Sequence, residues 1–311
     1  MGARSPTGWG MRRQPSVGYL TPPRLASLPA ERSQLEYSSR SLVFAADGRR
    51  LLRAWGPPDR PFVIGVAESG ARWRVEGWGV DPSTARRAVR DLFSLDHPLE
   101  AFYAQTRVEP VLRSTGRRFR GLRLPRDSGI YEALLHAIIG QQLSVVAANT
   151  IKGRLFAATG ARIEVDGTEV PRVPTPAEIR ALEAEGLRRI GLSRAKTVAV
   201  LALAHRQDAG AFASNRFADG PVESAVERLD AEPGVGRWTA ENALLRGVGR
   251  TDLFVAGDLG VRVALERYGV LDRDRPEVEA RAWGDRWYPG WGSYATLYLW
   301  RRLVSERTTA G

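Results

Sequence analysis

Residues 233–241 read PGVGRWTAE: a proline, two glycines one residue apart, then a tryptophan that opens a helix-forming run. The segment before it, VESAVERLD (222–230), and the segment after it, ENALLRG (241–247), both space their apolar residues as helices do. The order is therefore helix, tight turn over 232–236, helix. Glycines at 234 and 236 predict positive φ in the turn and main-chain N–H groups free of side-chain obstruction, while the second helix directs its positive end outward. That surface suits a phosphate oxygen. An ordinary helix connection can carry two glycines as well, so the pair alone leaves both readings open.

Composition narrows the choice of partner. The chain has 311 residues, 43% of them apolar, enough for two ordinary domains with real cores. Its net charge is +11 and its pI near 10.6, which points to a polyanion, nucleic acid first, because clustered cations gain affinity by displacing counterions from phosphates. All the basic residues except Lys152 and Lys196 are arginine, a bias that coding composition and solubility would also produce. With no cysteine the chain can hold neither a disulfide nor an iron–sulfur cluster, and three dispersed histidines, His97, His136 and His205, do not make a metal site. No apolar run has the length of a membrane span, and the N-terminus lacks the apolar core of a secretion signal, so the expected place is the cytoplasm.

Three regions follow from texture. Residues 1–36 are rich in Pro, Ser, Gly and Arg and predict a flexible basic lead. Residues 37–120 carry short β-like runs, SLVF, LLRAW, PFVIGVA and ARWRVEGW, separated by DG, PP and SG turns, then a helix capped by Asp81-Pro82. In RWRVEGW the alternation suits a sheet with one face buried. Residues 121–308 predict an all-α unit: a helix over about 129–158 with a break near GQQLS, a capping box at Thr175–Glu178 with Gly186 as its helix stop, a helix capped by Ser193, and further helices near 221–230, 237–247, 258–268, 276–286 and 292–305. The fold class is α+β.

PGVGRWTAENALLRG followed by DLFVAGDLGVRVAL resembles the helix-hairpin-helix DNA glycosylase superfamily, in which a glycine hairpin precedes the catalytic aspartate at a fixed distance; 20 residues separate Trp238 from Asp258. Within it, FRGLRLPRD (119–127), LLHAIIGQQLSVVAA (134–148), VAGDLGVR (255–262) and WGSYATLYLW (291–300) look most like the bacterial 3-methyladenine-DNA glycosylase II group. The resemblance implies an N-terminal antiparallel domain similar to half of a TATA-binding-protein saddle, a monomeric enzyme, and double-stranded DNA with alkylated bases as substrate. Other base specificities (uracil, hypoxanthine, mismatch) and a non-catalytic DNA-binding module are the alternatives.

Site roles carry over position by position. Asp258 matches the catalytic aspartate, whose anion would stabilise the oxocarbenium-like charge that develops on deoxyribose as the base leaves. Trp238 stands where strand-cleaving members place a Schiff-base lysine, which implies hydrolysis without lyase activity and leaves Trp238 to line the pocket or support the hairpin. Trp291 matches a base-stacking tryptophan, although a core role in a tail that also holds Trp283, Trp287 and Trp300 fits its position too. Gln141, which matches a pocket or minor-groove glutamine, Asn242, which stands where some relatives have an aromatic pocket residue, and Tyr294, as a supporting wall, complete the implied base pocket. Gln142 aligns with an apolar wedge that fills the gap when a nucleotide is flipped out, and Leu143 follows it. Gly234, Val235 and Gly236, with the Thr239 hydroxyl, are expected to grip a phosphate; Arg237 and Arg246 are candidate phosphate contacts, and a solvated helix face fits them equally well. Relatives hold a monovalent cation on hairpin carbonyls, here those of Asp230, Glu232 and Gly234; no cofactor is required.

Overall fold

The computed structural model describes residues 14–24, 26–29, 44–45, 50–271 and 274–309. Five strands, β1 (Ser16–Leu20), β2 (Phe44–Ala45), β3 (Leu51–Trp55), β4 (Phe62–Ser69) and β5 (Arg72–Trp78), form an antiparallel sheet in the order β1-β5-β4-β3-β2. Helix α1 (Pro82–Leu92) crosses one face. Its start is fixed by the Asp81 carboxylate, which accepts from the Ser83 and Thr84 amides at 2.8 and 3.0 Å. Its stripe Ala85, Ala88, Val89 and Leu92 is buried on Leu51, Ile64, Val66, Trp73 and Val75 of the sheet.

Two expectations change at the sheet. Residues 16–20 belong to it: β1 pairs with β5 from Ser16↔Gly77 to Leu20↔Trp73, so the lead expected to be flexible contains an edge strand. Its short V-G-Y-L alternation is hidden by flanking Pro, Ser and Gly. Residues 1–13, 25 and 30–36 of that lead lie outside the described residues. The second face of the sheet is also covered, and β3 is buried along its whole length.

The cover comes from the part of the chain expected to be all helical. Helices α2 (Leu99–Val108), α3 (Arg113–Arg118), α4 (Ile130–Gly140) and α5 (Val145–Thr159) are followed by a hairpin, β6 (Arg162–Val165) and β7 (Thr168–Pro171). Asp166 and Gly167 both take positive φ, 49° and 73°, the two-residue turn that suits the strand twist. Ile163, Val165 and Val170 then pack on Leu52, Ala54, Val63 and Trp78. The alternating signal was present in RIEV and TEV, but four-residue strands between helices carry little periodicity to read.

Helices α6 (Pro176–Ala181), α7 (Glu183–Arg189), α8 (Arg194–Asp208), α9 (Val222–Asp230), α10 (Arg237–Gly247), α11 (Leu259–Arg267), α12 (Pro276–Trp287) and α13 (Gly292–Thr309) complete the chain. Gly186 is not a stop; it is buried inside α7, and the break falls at Leu182. Every residue from Ile130 to Ile139 is buried, so α4 is the central post against which α10 and α8 lean. Among the described residues no helix is long and apolar enough to cross a membrane.

Where sheet and helices meet, charge is buried. Arg53 of β3 donates to Glu132 of α4 at 2.7 Å, and Asp127 lies 3.3 Å from His136 Nδ1. Burial pushes Lys152 down to about 8, opposed by Asp127 and Glu132. Asp127, Glu132 and His136 bring three ligand-type atoms together. Arg53, Lys152 and Arg246 already supply their countercharge, so this cluster fits an ionic joint and does not fit a cation.

Candidate active site and nucleic-acid interface

The hairpin between α9 and α10 is tight for reasons visible in its packing. Gly234 has φ +75°, and a Cβ there would lie 2.4 Å from Ala199 Cβ of α8, so both conformation and close approach require glycine. Gly236 differs from expectation. Its φ is −102°, open to any residue, and a Cβ there would meet nothing within 4 Å. Among the described residues nothing asks for a bare position at 236, and no side chain caps α10. The first N–H groups of α10 therefore lack an intrahelical partner, and Gly236 and Arg237 beside them are exposed.

Two residues expected to grip phosphate do other work. The Val235 amide closes the turn on the Glu232 carbonyl at 3.1 Å, and its side chain is buried. The Thr239 hydroxyl is 2% exposed and accepts from Gln141 Nε2 at 2.9 Å. Neither group can reach a phosphate; they brace the turn from within. Arg237 is likewise held by Glu223 and Glu241, and Arg246 Nη1 is committed to the Pro125 carbonyl at 3.2 Å.

Gln141 acts as a latch through its amide nitrogen. Its amide also donates to the Gly234 carbonyl at 2.9 Å, tying the end of α4 to the hairpin. Lys196 of α8 donates to the Ile139 and Gln141 carbonyls at 2.8 and 2.7 Å, which satisfies the carbonyl end of α4. The loop between α4 and α5 is thus fixed relative to the hairpin. On that loop Gln142 takes φ +55° and is exposed, and Leu143 is 38% exposed. Both expected wedge residues project from one rigid turn. As for a cation, the Glu232 and Gly234 carbonyls already accept from Val235 N–H and Gln141 Nε2. The fit is partial, since an ion would share the Gly234 oxygen with Gln141.

Asp258 caps α11, as its position before LGVRVALE requires, with Oδ1 accepting from the Val261 amide at 3.1 Å. Two indoles close on the same carboxylate. Trp238 Nε1, from the first turn of α10, donates to Oδ2 at 2.9 Å, and Trp300 Nε1, from α13, donates to Oδ1 at 2.8 Å. Asp258 remains half-buried. Three N–H donors thus fix the rotation of the carboxylate and leave part of it open. Trp238 therefore meets Asp258 directly, and Trp300, read as one of several tail aromatics, is a site residue that the sequence did not single out.

The remaining expected pocket residues separate. Trp291 is half-buried, packed on Phe102 and Tyr294 with ring centroids 6.3 and 5.6 Å away. Tyr294 is fully buried and meets His97 Nδ1 at 2.9 Å, so it backs Trp291 and touches no open cleft. Asn242 lies one turn after Trp238 and donates to its carbonyl at 2.9 Å.

His97 gives the wall a pH dependence. Burial, then the Arg126 and Arg123 guanidiniums, push its imidazole from 6.5 down to about 4. A histidine whose folded value is depressed stabilises the fold above its unfolded value, and that stability is lost as pH falls from about 6.5 through about 4. In denaturant unfolding, His97→Gln is expected to lose about 2 kcal/mol less than the parent chain between pH 7 and pH 4.5. Equal losses in both would remove His97 as the cause.

With this geometry in place, the chain can be compared with known proteins. The model of the HhH-GPD superfamily of base excision DNA repair proteins matches residues 135–289. A Mycobacterium tuberculosis protein described as a probable bifunctional transcriptional activator/DNA repair enzyme AlkA is 34% identical over 229 residues, which is 72% of this chain and 43% of that protein. Escherichia coli DNA-3-methyladenine glycosylase 2 is 31% identical over 193 residues, 62% of this chain and 64% of the relative. Among solved structures, a 3-methyladenine DNA-glycosylase from Archaeoglobus fulgidus matches with a TM-score of 0.77 at 24% identity, over 91% of this chain and 96% of that one, a likeness of fold. The chain spans less than half the length of the mycobacterial relative.

Proposed function

The chain belongs to the HhH-GPD superfamily of base excision DNA repair proteins, and on that premise we propose that it is a monofunctional DNA glycosylase. Its substrate is an alkylated purine in duplex DNA, of the 3-methyladenine or 7-methylguanine type, and its product is an abasic site. The names of the bacterial relatives support the substrate class. One chain carries every residue the scheme uses, so action as a monomer is part of the proposal.

The observation that carries the reading is the company Asp258 keeps. Its donors are two indoles and a main-chain amide, none of which can deliver a proton to a leaving group. A neutral base such as uracil leaves as an anion and benefits from an acid or strong donors. An N3- or N7-alkylated purine is already cationic; when its bond to C1′ breaks, the bonding pair returns to the ring and the base departs neutral, with no proton needed. Water then adds to C1′ and gives up a proton, while the Asp258 carboxylate stabilises the positive sugar and orients the water. The half-exposed face of Trp291 suits the cationic ring by cation–π attraction.

The remaining parts serve access. A flipped nucleotide is needed to bring C1′ to Asp258, with Gln142 or Leu143 entering the gap. The open N–H groups at Gly236 and the start of α10 hold a backbone phosphate. Because Trp238 occupies the position of the Schiff-base lysine and donates to Asp258, no amine is available there to attack C1′.

Incubation with methylated duplex DNA tests this directly. Free methylated purine should be released, and the product strand should stay intact until treated with hydroxide. Breaks without hydroxide would contradict the absence of lyase chemistry. DNA bound tightly with no base released would leave a binding module in place of an enzyme.

A further inference from the structure

Some arginines of the helical unit are paired with carboxylates and others are not. Arg126, Arg172, Arg180, Arg206, Arg237, Arg250, Arg267 and Arg281 each meet a carboxylate. Arg107, Arg113, Arg117, Arg118 and Arg120 are all exposed and crowd α2, α3 and the turn after α3. Among the described residues none of these five forms an ion pair. The only exposed acid in 99–123 is Glu100, since Glu109 is buried and accepts from the Val111 and Leu112 amides and Tyr288. Like charges packed this closely repel. Placement at helix ends, where Arg107, Arg117 and Arg118 complement the carbonyls and Arg113 donates to the Val108 carbonyl at 3.3 Å, returns a fraction of a kcal/mol each and does not explain Arg120.

Part of the patch is also held in place. The guanidiniums of Arg118 and Arg301 both lie 5.2 Å from the Phe119 ring centroid, and that of Arg120 lies 4.4 Å from the centroid of Tyr103. Stacking fixes the charge without neutralising it, leaving N–H edges to a partner. Arg301 follows Trp300, whose indole holds Asp258 Oδ1. Asp258 is thus tied to the hairpin through Trp238 and, through Trp300 and its chain neighbour Arg301, to the helix that meets the arginine patch at Phe119.

We propose that Arg107, Arg113, Arg117, Arg118 and Arg120 form a second phosphate-binding surface that holds the duplex arm on the side of the lesion away from the hairpin. The inference rests on the glycosylase reading above. Binding there would anchor the DNA on both sides of Asp258, so that rotation of one nucleotide out of the stack does not simply let the duplex swing on the hairpin contact.

The test uses the full chain and an abasic-site duplex, long enough to extend a full turn on each side of the site, with the affinity measured across a salt series. In the triple variant R107Q/R113Q/R117Q the slope of log affinity against log salt should shrink by about 0.9 for each phosphate no longer neutralised, and binding at 0.1 M salt should weaken about tenfold or more. Trimming the duplex on the hairpin-distal side should weaken the parent chain and leave the triple variant unaffected. An unchanged slope in the triple variant would overturn the proposal and leave the patch to an acidic protein partner. Gly236→Ala separates the two levels. If it weakens DNA binding while the triple variant does not, only the second surface falls; if the parent chain has no affinity for DNA, the glycosylase reading falls first.

Discussion

Asp258→Asn is expected to reduce single-turnover release of methylated purine by about 10²- to 10³-fold, with DNA affinity within a few-fold of the parent chain. The size follows from what the carboxylate does: one preorganised interaction that matters only as charge develops contributes about 3–4 kcal/mol, and each 1.36 kcal/mol is tenfold in rate. The fold should survive. Asparagine is as good a helix cap as aspartate, so its carbonyl oxygen can keep the Val261 amide and the Trp300 indole. Its amide must then face Trp238 Nε1, a donor against a donor, where the parent chain has a 2.9 Å hydrogen bond. A thermal unfolding midpoint close to that of the parent, together with the rate collapse, assigns the loss to charge. Activity equal to the parent's would end the catalytic assignment of Asp258.

The placement of Asp258 at the start of α11 was legible in sequence because its surroundings are local: a glycine turn, a 20-residue interval and a helix start can be read along the chain. The helices of the second unit were legible for the same reason, through caps such as Thr175 and Ser193, both of which form as their residue types require. What failed was non-local. Gln141 lies in a suggestive motif, yet its amide is committed to Gly234 and Thr239, more than 90 residues away. Thr239 and Val235 stand inside the hairpin but turn inward, a choice set by α4 and α8 and not by the turn itself. The hairpin β6–β7 was overlooked because its meaning depends on the sheet face it covers. Glycine shows the same division: Gly234 is dictated by Ala199 and by its φ, whereas the freedom around Gly236 becomes informative only once the space beside it is known to be open.

Trp300 is the sharpest case, and its removal as a donor should be felt almost entirely in the chemical step. Trp300→Phe keeps a ring in the wall and deletes one N–H. A hydrogen bond to a charged acceptor contributes about 1.5–3 kcal/mol, so single-turnover release should fall roughly 10- to 150-fold, while affinity for abasic DNA stays near that of the parent. Phenylalanine loses packing as well as the donor, and a purely structural role would lower stability and rate together in any background. The double variant decides between these. If Trp300 acts by orienting Asp258, then in Asp258→Asn the further change Trp300→Phe has nothing left to orient, and the rate should fall no more than about twofold beyond the single variant. Trp238→Phe should behave in the same way, since it holds the other oxygen. Additive losses in the double variant would make Trp300 a packing residue and leave the carboxylate positioned by Trp238 and Val261 alone.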